Sequence, residues 1–306
     1  VLLTAVKQSI KMLSSASTRS LFPRRFWNTW SVDHIALYCG ICDLTRLRQA
    51  ASHLQEVFHE PLISALIADL MNAGERELAM SPYNERVASA NVLGKVAGPG
   101  SETVVSALIA CMTDQDTWVR RTVVKSLGTV ALPGDERGVS LVIERLQDTD
   151  SQVRAAAIQA LALITQPGDE HGISVVILRL KDRDLRVRLA AVRALATMAQ
   201  SGHEHTISAL IVRLQEEKNG FVRKMAVRAL ATVAQQGHAC TISALIGRLN
   251  DGKGDVRQAA VQALTTAAQP RHECTIFALL KCLKDSYYGV RLFAVDALGV
   301  VAQIGH

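Results

Sequence analysis

Three groups of residues in this chain have the types that perform chemistry. Cys39-Gly-Ile-Cys42, with His53 and His59 downstream, has the donor set of a zinc or dithiol site. His203, His238, His272 and His306 recur at one position of a repeating turn, with His171, His205, Cys240 and Cys274 two residues further on in a neighbouring column. Gly252-Lys253-Gly254-Asp255 has phosphate-loop composition without the length. None of the three reads as a working centre. Both cysteines fall on apolar positions of a helical pattern, and no strand precedes them. Metal donors must converge within about 2 Å of one ion, whereas equivalent turns of a helical stack lie about 10 Å apart, so each histidine is expected to cap a helix or sit in a solvated turn. No nucleophile elbow and no His-Glu-x-x-His helix occurs in the sequence. The expectation is no cofactor, no metal site and no enzymatic activity.

The elements that carry these residues repeat. Val-Arg recurs at Val119-Arg120, Val153-Arg154, Val187-Arg188, Val222-Arg223, Val256-Arg257 and Val290-Arg291, in steps of 34 residues and once 35. A fixed period of this size marks stacked hairpins, because one hairpin cannot bury its apolar face without neighbours. Each unit holds a shorter helical pattern (Ile173, Val176, Ile177, Leu180) and a longer, alanine-rich one (Val153, Ala156, Ala157, Ala160, Leu161, Ile164). Gly- or Pro-containing turns punctuate them at 132–136, 166–170 and 200–204, with Ser101, Asp135 and Asp169 placed to cap the next helix. Glu102, Glu136, Glu170, Glu204 and Glu273 sit where a first-turn carboxylate favours the helix dipole.

The fold class expected is all-α: an α-solenoid, a right-handed superhelix of about eight stacked helix pairs. Residues 98–306 form six regular repeats and the opening turn of another. Residues 33–97 form two irregular ones with a longer loop at roughly 71–84, containing Met80, Pro82 and Tyr83. Residues 1–32 form a basic, acid-free leader carrying five of the chain's net six positive charges, so the repeat body is near neutral. From Met12 to Trp30 that leader has the Ser- and Arg-rich composition of a mitochondrial or plastid import segment, while Leu2, Ala5, Val6, Ser9, Ile10 and Leu13 also fit a remnant repeat helix. Six cysteines without a framework point to a reducing, intracellular compartment, and no apolar run is long enough to span a membrane.

The unit SALI-x-x-L-x-D-x-x-x-x-VR-x-AA-x-x-AL resembles the HEAT repeat, particularly the short HEAT-like repeats of phycobilisome lyases, over about 270 residues. Its specific element is an acid six residues before the arginine: Asp114/Arg120, Asp148/Arg154, Asp182/Arg188, Glu217/Arg223, Asp251/Arg257 and Asp285/Arg291. The resemblance implies an internal ladder joining adjacent repeats. Charges repeated along a buried seam must in any case be paired to be tolerated. The usual first-helix proline is absent, and the Trp and Tyr signature of tetratricopeptide repeats, which share the period, is missing. His-Glu pairs at 59/60, 203/204 and 272/273 are similar to the iron-holding pairs of deoxyhypusine hydroxylase, but they fall in turns rather than after Val-Arg.

In stacks of this kind the second helices line the concave wall. Residues two and six after each Val stand opposite the buried stripe: Arg121/Lys125, Ala155/Gln159, Leu189/Arg193, Lys224/Arg228, Gln258/Gln262 and Leu292/Asp296. Five bases face one acid there, without interleaved aromatics. The expected function is therefore a protein-binding scaffold or adaptor, taking an acidic or polar segment on Arg121, Lys125, Gln159, Arg193, Lys224, Arg228 and Gln262, with nucleic acid disfavoured. The alternative, implied only by the repeat subtype, is a bilin-lyase-like or other accessory subunit of a modifying enzyme. Arg145, Arg179, Arg213 and Arg248 are expected on the convex side, facing solvent. Phe293, Val300 and Val301 are expected to make the last helix sticky, suiting end-to-end association.

Overall fold

The computed structural model describes residues 63–68, 71 and 82–302. The chain divides into the units Val1–Leu62 and Ile63–His306, and every described residue belongs to the second. Cys39, Cys42, His53, His59 and His306, the leader and most of the 71–84 stretch lie outside the described residues. Residues 63–68 are helical, and thirteen labelled helices follow. They are α1 (Pro82–Val96), α2 (Glu102–Ala110), α3 (Thr117–Val130), α4 (Glu136–Arg145), α5 (Ser151–Ile164), α6 (Glu170–Arg179), α7 (Leu185–Met198), α8 (Glu204–Glu216), α9 (Gly220–Val233), α10 (Ala239–Arg248), α11 (Gly254–Ala267), α12 (Glu273–Cys282) and α13 (Tyr288–Ala302). No strand occurs among the described residues.

The turn chemistry sets the helix starts. Asp116, Asp150, Asp184 and Asn219 cap the second helices α3, α5, α7 and α9, each side chain accepting a backbone amide of the first turn. Asp135 and Asp169 cap the first helices α4 and α6 in the same way, whereas Ser101, although in the cap position of α2, makes no capping bond.

The apolar patterns produce the packing. Val153, Ala156, Ala157, Ile158, Ala160, Leu161 and Ile164 of α5 are all buried, as are their counterparts in α7 and α11 and, but for the partly buried Met225, in α9. The odd-numbered helices from α1 to α13 pack in a single row, each on the one before and the one after, while each even-numbered helix packs mainly on its own second helix and barely touches the next first helix. Small residues allow the close row: a Cβ placed on Gly128 of α3 would sit 2.8 Å from the Ala160 Cα of α5. One continuous core runs from Ile63 to Val301. Sequence-distant segments do not intermix, and the described unit is an α-solenoid.

The turns add a backbone link between repeats. The amides of Gly100, Gly134, Gly168, Gly202 and Gly237 donate to the carbonyls of Val130, Ile164, Met198, Val233 and Ala267 at the end of the following second helix, at 2.7–2.8 Å. This geometry needs a positive φ, which glycine adopts freely; Gly202 stands at 83°. In the last turn Arg271 takes the same place at 61° and makes the same bond to Val301.

The expectation for the last helix holds only in part. Val300 is exposed, but Val301 is buried and Phe293 packs on the core. The residue missed is Val295, 60% exposed although its counterparts Val124, Ile158, Val192, Val227 and Val261 are fully covered by the following repeat.

Candidate partner-binding groove

Two arrays of basic side chains run along the second helices. The first is the ladder. Arg120 donates through Nε and Nη2 to both carboxylate oxygens of Asp148 at 2.8 and 3.0 Å. The same forked geometry joins Arg154 to Asp182, Arg188 to Glu217, Arg223 to Asp251 and Arg257 to Asp285. The side-chain partner is thus the acid of the next repeat. The acid six residues before each arginine is met through its backbone carbonyl, as Arg120 Nη1 donates to the Asp114 carbonyl at 2.9 Å and Arg291 to that of Asp285 at 2.8 Å. Each carboxylate also accepts the amide two residues on, so it ties together its own loop, its own helix pair and the neighbour. Arg86, 34 residues before Arg120, pairs with Asp114 at 3.1 Å; it escapes the sequence pattern because Glu85 replaces the valine.

Burial by itself would raise the Asp148 carboxyl, but the Arg120 guanidinium, the Asp150 amide and Arg145 together hold it below its ordinary value. Asp182, Glu217 and Asp251 follow the same balance, each with burial opposed by its own arginine pair. At Asp285 the Arg257 hydrogen bond is the largest influence, and the value is again lowered.

The second basic column is not solvent-facing. Arg145, Arg179, Arg213 and Arg248 reach back to the backbone carbonyls of Met112, Leu146, Leu180 and Leu214, near the end of the preceding first helix. Arg213 and Arg248 also approach Glu217 and Asp251 at 3.4 and 4.0 Å. Cations that close a helix C-terminus satisfy its orphan carbonyls and its dipole, so these arginines belong to the seam.

The second array is the groove. Between α3, α5 and α7 a cavity of about 350 Å³ is lined by Arg121, Lys125, Gln152, Gln159, Arg186 and Arg193 over a floor of Ala155, Ala156, Leu189 and Ala190. It brings together four of the anticipated residues, Arg121, Lys125, Gln159 and Arg193. Lys224 and Arg228 on α9, and Gln262 on α11, occupy the equivalent helix positions beyond this cavity. Burial, and then Arg121, lower the Lys125 ammonium from its ordinary value.

The sequence pattern overlooked the residue just before each Val. Gln152 and Arg186 hold that position in the cavity, and Trp118, Phe221, Asp255 and Gly289 are its equivalents. This residue faces the one two after Val in the preceding repeat. Arg121 Nη1 donates to Gln152 Oε1 at 2.7 Å, Lys224 meets Asp255 at 3.5 Å, and a Cβ on Gly289 would lie 2.5 Å from Gln258 Oε1. One expectation is corrected by this, that of a face without aromatics: Trp118, 54% exposed, stacks on Arg121 at 5.4 Å, and Phe221 is 47% exposed. The signal was available, since a helix residue three before Arg121 shares its face.

The described histidines of the column, His203, His238 and His272, are caps. Nδ1 of His203, His238 and His272 accepts the amide of Thr206, Thr241 and Thr275. Nε2 of His203 and His238 turns to Glu170 and Glu204 of the preceding repeat at 2.8 and 3.3 Å. No group of three or more His, Cys, Asp or Glu that could hold a metal ion exists among the described residues, and no helix among them is long and apolar enough to cross a membrane.

Comparison with known proteins adds to this geometry. A family model described as HEAT repeats matches residues 76–162 and 173–265. It is a match to HEAT repeats in general and does not single out the phycobilisome-lyase type. No curated protein matches the chain. Among solved structures, an engineered protein is 24% identical with a TM-score of 0.52, covering 79% of this chain and 68% of its own. The Escherichia coli protein YIBA is 20% identical with a TM-score of 0.56, over 80% and 86% of the two chains. Importin beta is 16% identical with a TM-score of 0.54, over 82% of this chain and 37% of that one. At these identities the likeness is one of fold.

Proposed function

This chain belongs to the HEAT-repeat family, and from that premise we propose that it is a non-catalytic scaffold that holds an acidic or polar protein segment along its second helices. The observation that supports the reading is the groove between α3, α5 and α7, where Lys125, Arg186 and Arg193 have no carboxylate within ion-pair distance among the described residues. The ladder arginines Arg120, Arg154, Arg188, Arg223 and Arg257 are each given an acid; these cations are exposed and have none. Such a surface steers and orients an anionic partner more than it stabilises the fold. The alanine floor leaves room for an extended backbone, and Trp118 and Phe221 offer apolar contacts on either side.

Nucleic acid fits less well. Trp118 and Phe221 are three repeats apart, ~30 Å at the spacing of packed helices, too far for successive bases to stack on both. The bilin-lyase alternative rests on the repeat subtype alone, and titration with an open-chain tetrapyrrole is expected to leave its absorbance unchanged.

The test is affinity capture with quantitative mass spectrometry, comparing the wild-type chain with a Lys125→Glu, Arg193→Glu, Arg228→Glu variant. Loss of specific partners from the variant, with its helical circular dichroism unchanged, is expected. An identical set of captured proteins defeats the groove as the docking surface.

A further inference from the structure

The charge along one stripe of the second helices changes sign down the stack. On the stripe formed by the residue before Val and those two and six after it, α3 carries Arg121 and Lys125, α5 carries no charge, α7 carries Arg186 and Arg193, and α9 carries Lys224 and Arg228. On α11 and α13 the same stripe carries Asp255 and Asp296 and no base. The capping aspartates Asp116, Asp150 and Asp184 at the basic end do not reverse this, because each carboxylate is turned onto backbone amides of its own helix. Lys224 and Asp255, 3.5 Å apart, stand at the crossover, where the last base of one block meets the first acid of the other.

We propose that the occupant of the groove is an extended protein segment of divided charge, an acidic block lying over α3 to α9 followed by a basic block over α11 and α13. This rests on the reading of the groove as a docking surface and adds to it a direction. A uniformly acidic segment would satisfy the bases of α3, α7 and α9 and then meet Asp255, already paired with Lys224, and Asp296, where like charge disfavours it. A segment that changes sign at the crossover is attracted along its whole length, and only one orientation achieves this. Neighbouring second helices are ~10 Å apart and an extended chain advances ~3.3 Å per residue. The acidic block is therefore about nine residues long and the basic block about six.

The test uses two fluorescein-labelled peptides of about fifteen residues with identical composition. One has alternating glutamates in its first nine positions and alternating lysines in the remainder; the other has the same residues shuffled. Fluorescence anisotropy at low salt is expected to show the block peptide binding the full chain at least about tenfold more tightly, a difference of ~1.4 kcal/mol. Asp255→Asn combined with Asp296→Asn is expected to remove most of that preference, and both positions are surface sites whose change leaves the core untouched. Equal binding of the two peptides to the wild-type chain, still abolished by Lys125→Glu with Arg193→Glu, overturns the divided-charge proposal while leaving the groove in place. Failure of both peptides to bind, or binding indifferent to the Lys125 and Arg193 changes, removes the groove reading as well. Displacement of the block peptide by an oligouridylate of similar length at lower concentration makes nucleic acid the occupant and overturns both.

Discussion

Arg120 and Arg121 are neighbours in the chain and have opposite fates. Arg120 turns all three of its nitrogens to its own loop and to Asp148 of the next repeat, while Arg121 bonds a glutamine and lies against an exposed indole. The contrast repeats down the stack, with Arg154, Arg188, Arg223 and Arg257 locked in the seam and Lys125, Arg186, Arg193 and Arg228 free of carboxylates among the described residues. Roughly 100° of helical phase separates the two columns. One column holds repeats together and the other is left exposed, so identical chemistry yields cohesion in one and, on the function proposed above, a docking surface in the other.

The strongest way to break this contrast is acid, which acts on the whole seam and on no cation of the groove. Asp148, Asp182, Glu217, Asp251 and Asp285 have folded-state values below their ordinary ones, so their contribution to stability is complete above the unfolded-chain pKa, about 4. It is lost as the pH falls through the depressed values. Thermal midpoints followed by circular dichroism are expected to be flat from neutral pH to about 5 and to drop steeply below 4; a flat profile down to pH 2 would mean that the ladder contributes little.

Next in size is a single break in the seam. The side chains of Arg154 and Asp182 are only 6% and 8% exposed, so Asp182→Ala strands a buried guanidinium and should cost about 3–5 kcal/mol in denaturant unfolding. Restoring neutrality with Arg154→Met in the same chain should recover much of that loss, since a buried pair replaced by apolar groups is often close to neutral. The turns give smaller effects. Gly202→Ala forces a side chain into the left-handed region and should cost about 1–2 kcal/mol, while Arg271→Gly should gain a fraction of that at the one turn where a non-glycine holds it. His203→Ala should cost about 1 kcal/mol through the lost cap, and His203→Asp, the residue type used at 135 and 169, should retain it. Smallest of all, Arg193→Ala should stay within about 0.5 kcal/mol of wild type in stability, as befits a surface residue outside the seam.

Much of the architecture was legible because its signals are local and recur. A period of 34, two apolar helix patterns and the turn residues suffice for stacked hairpins, and the ladder residues stand out by type. The one longer step was also readable: α8 runs 13 residues instead of the usual 10, and Glu217, longer than an aspartate, still reaches Arg188 at 2.8 Å. Less was legible wherever the partner is in another repeat. That the ladder joins adjacent repeats was expected, but not which acid meets which arginine: the side-chain bond runs to the acid 28 or 29 residues later. Arg145 and its column have a solvated-face pattern by periodicity, and only the carbonyl offered by the preceding first helix draws them into the seam. Trp118 and Phe221 escaped because the groove was read only from the residues two and six after each Val.

The amino-acid sequence alone determined that this chain would form helices, where they begin, which faces they bury and that they stack in order, since each depends on neighbours within one turn or one period. The tertiary structure decided which charge meets which, because a pairing across repeats depends on the offset and rotation of two helices, and no periodicity encodes that. It also decided which cations remain without an acid, the observation on which the proposed docking surface rests.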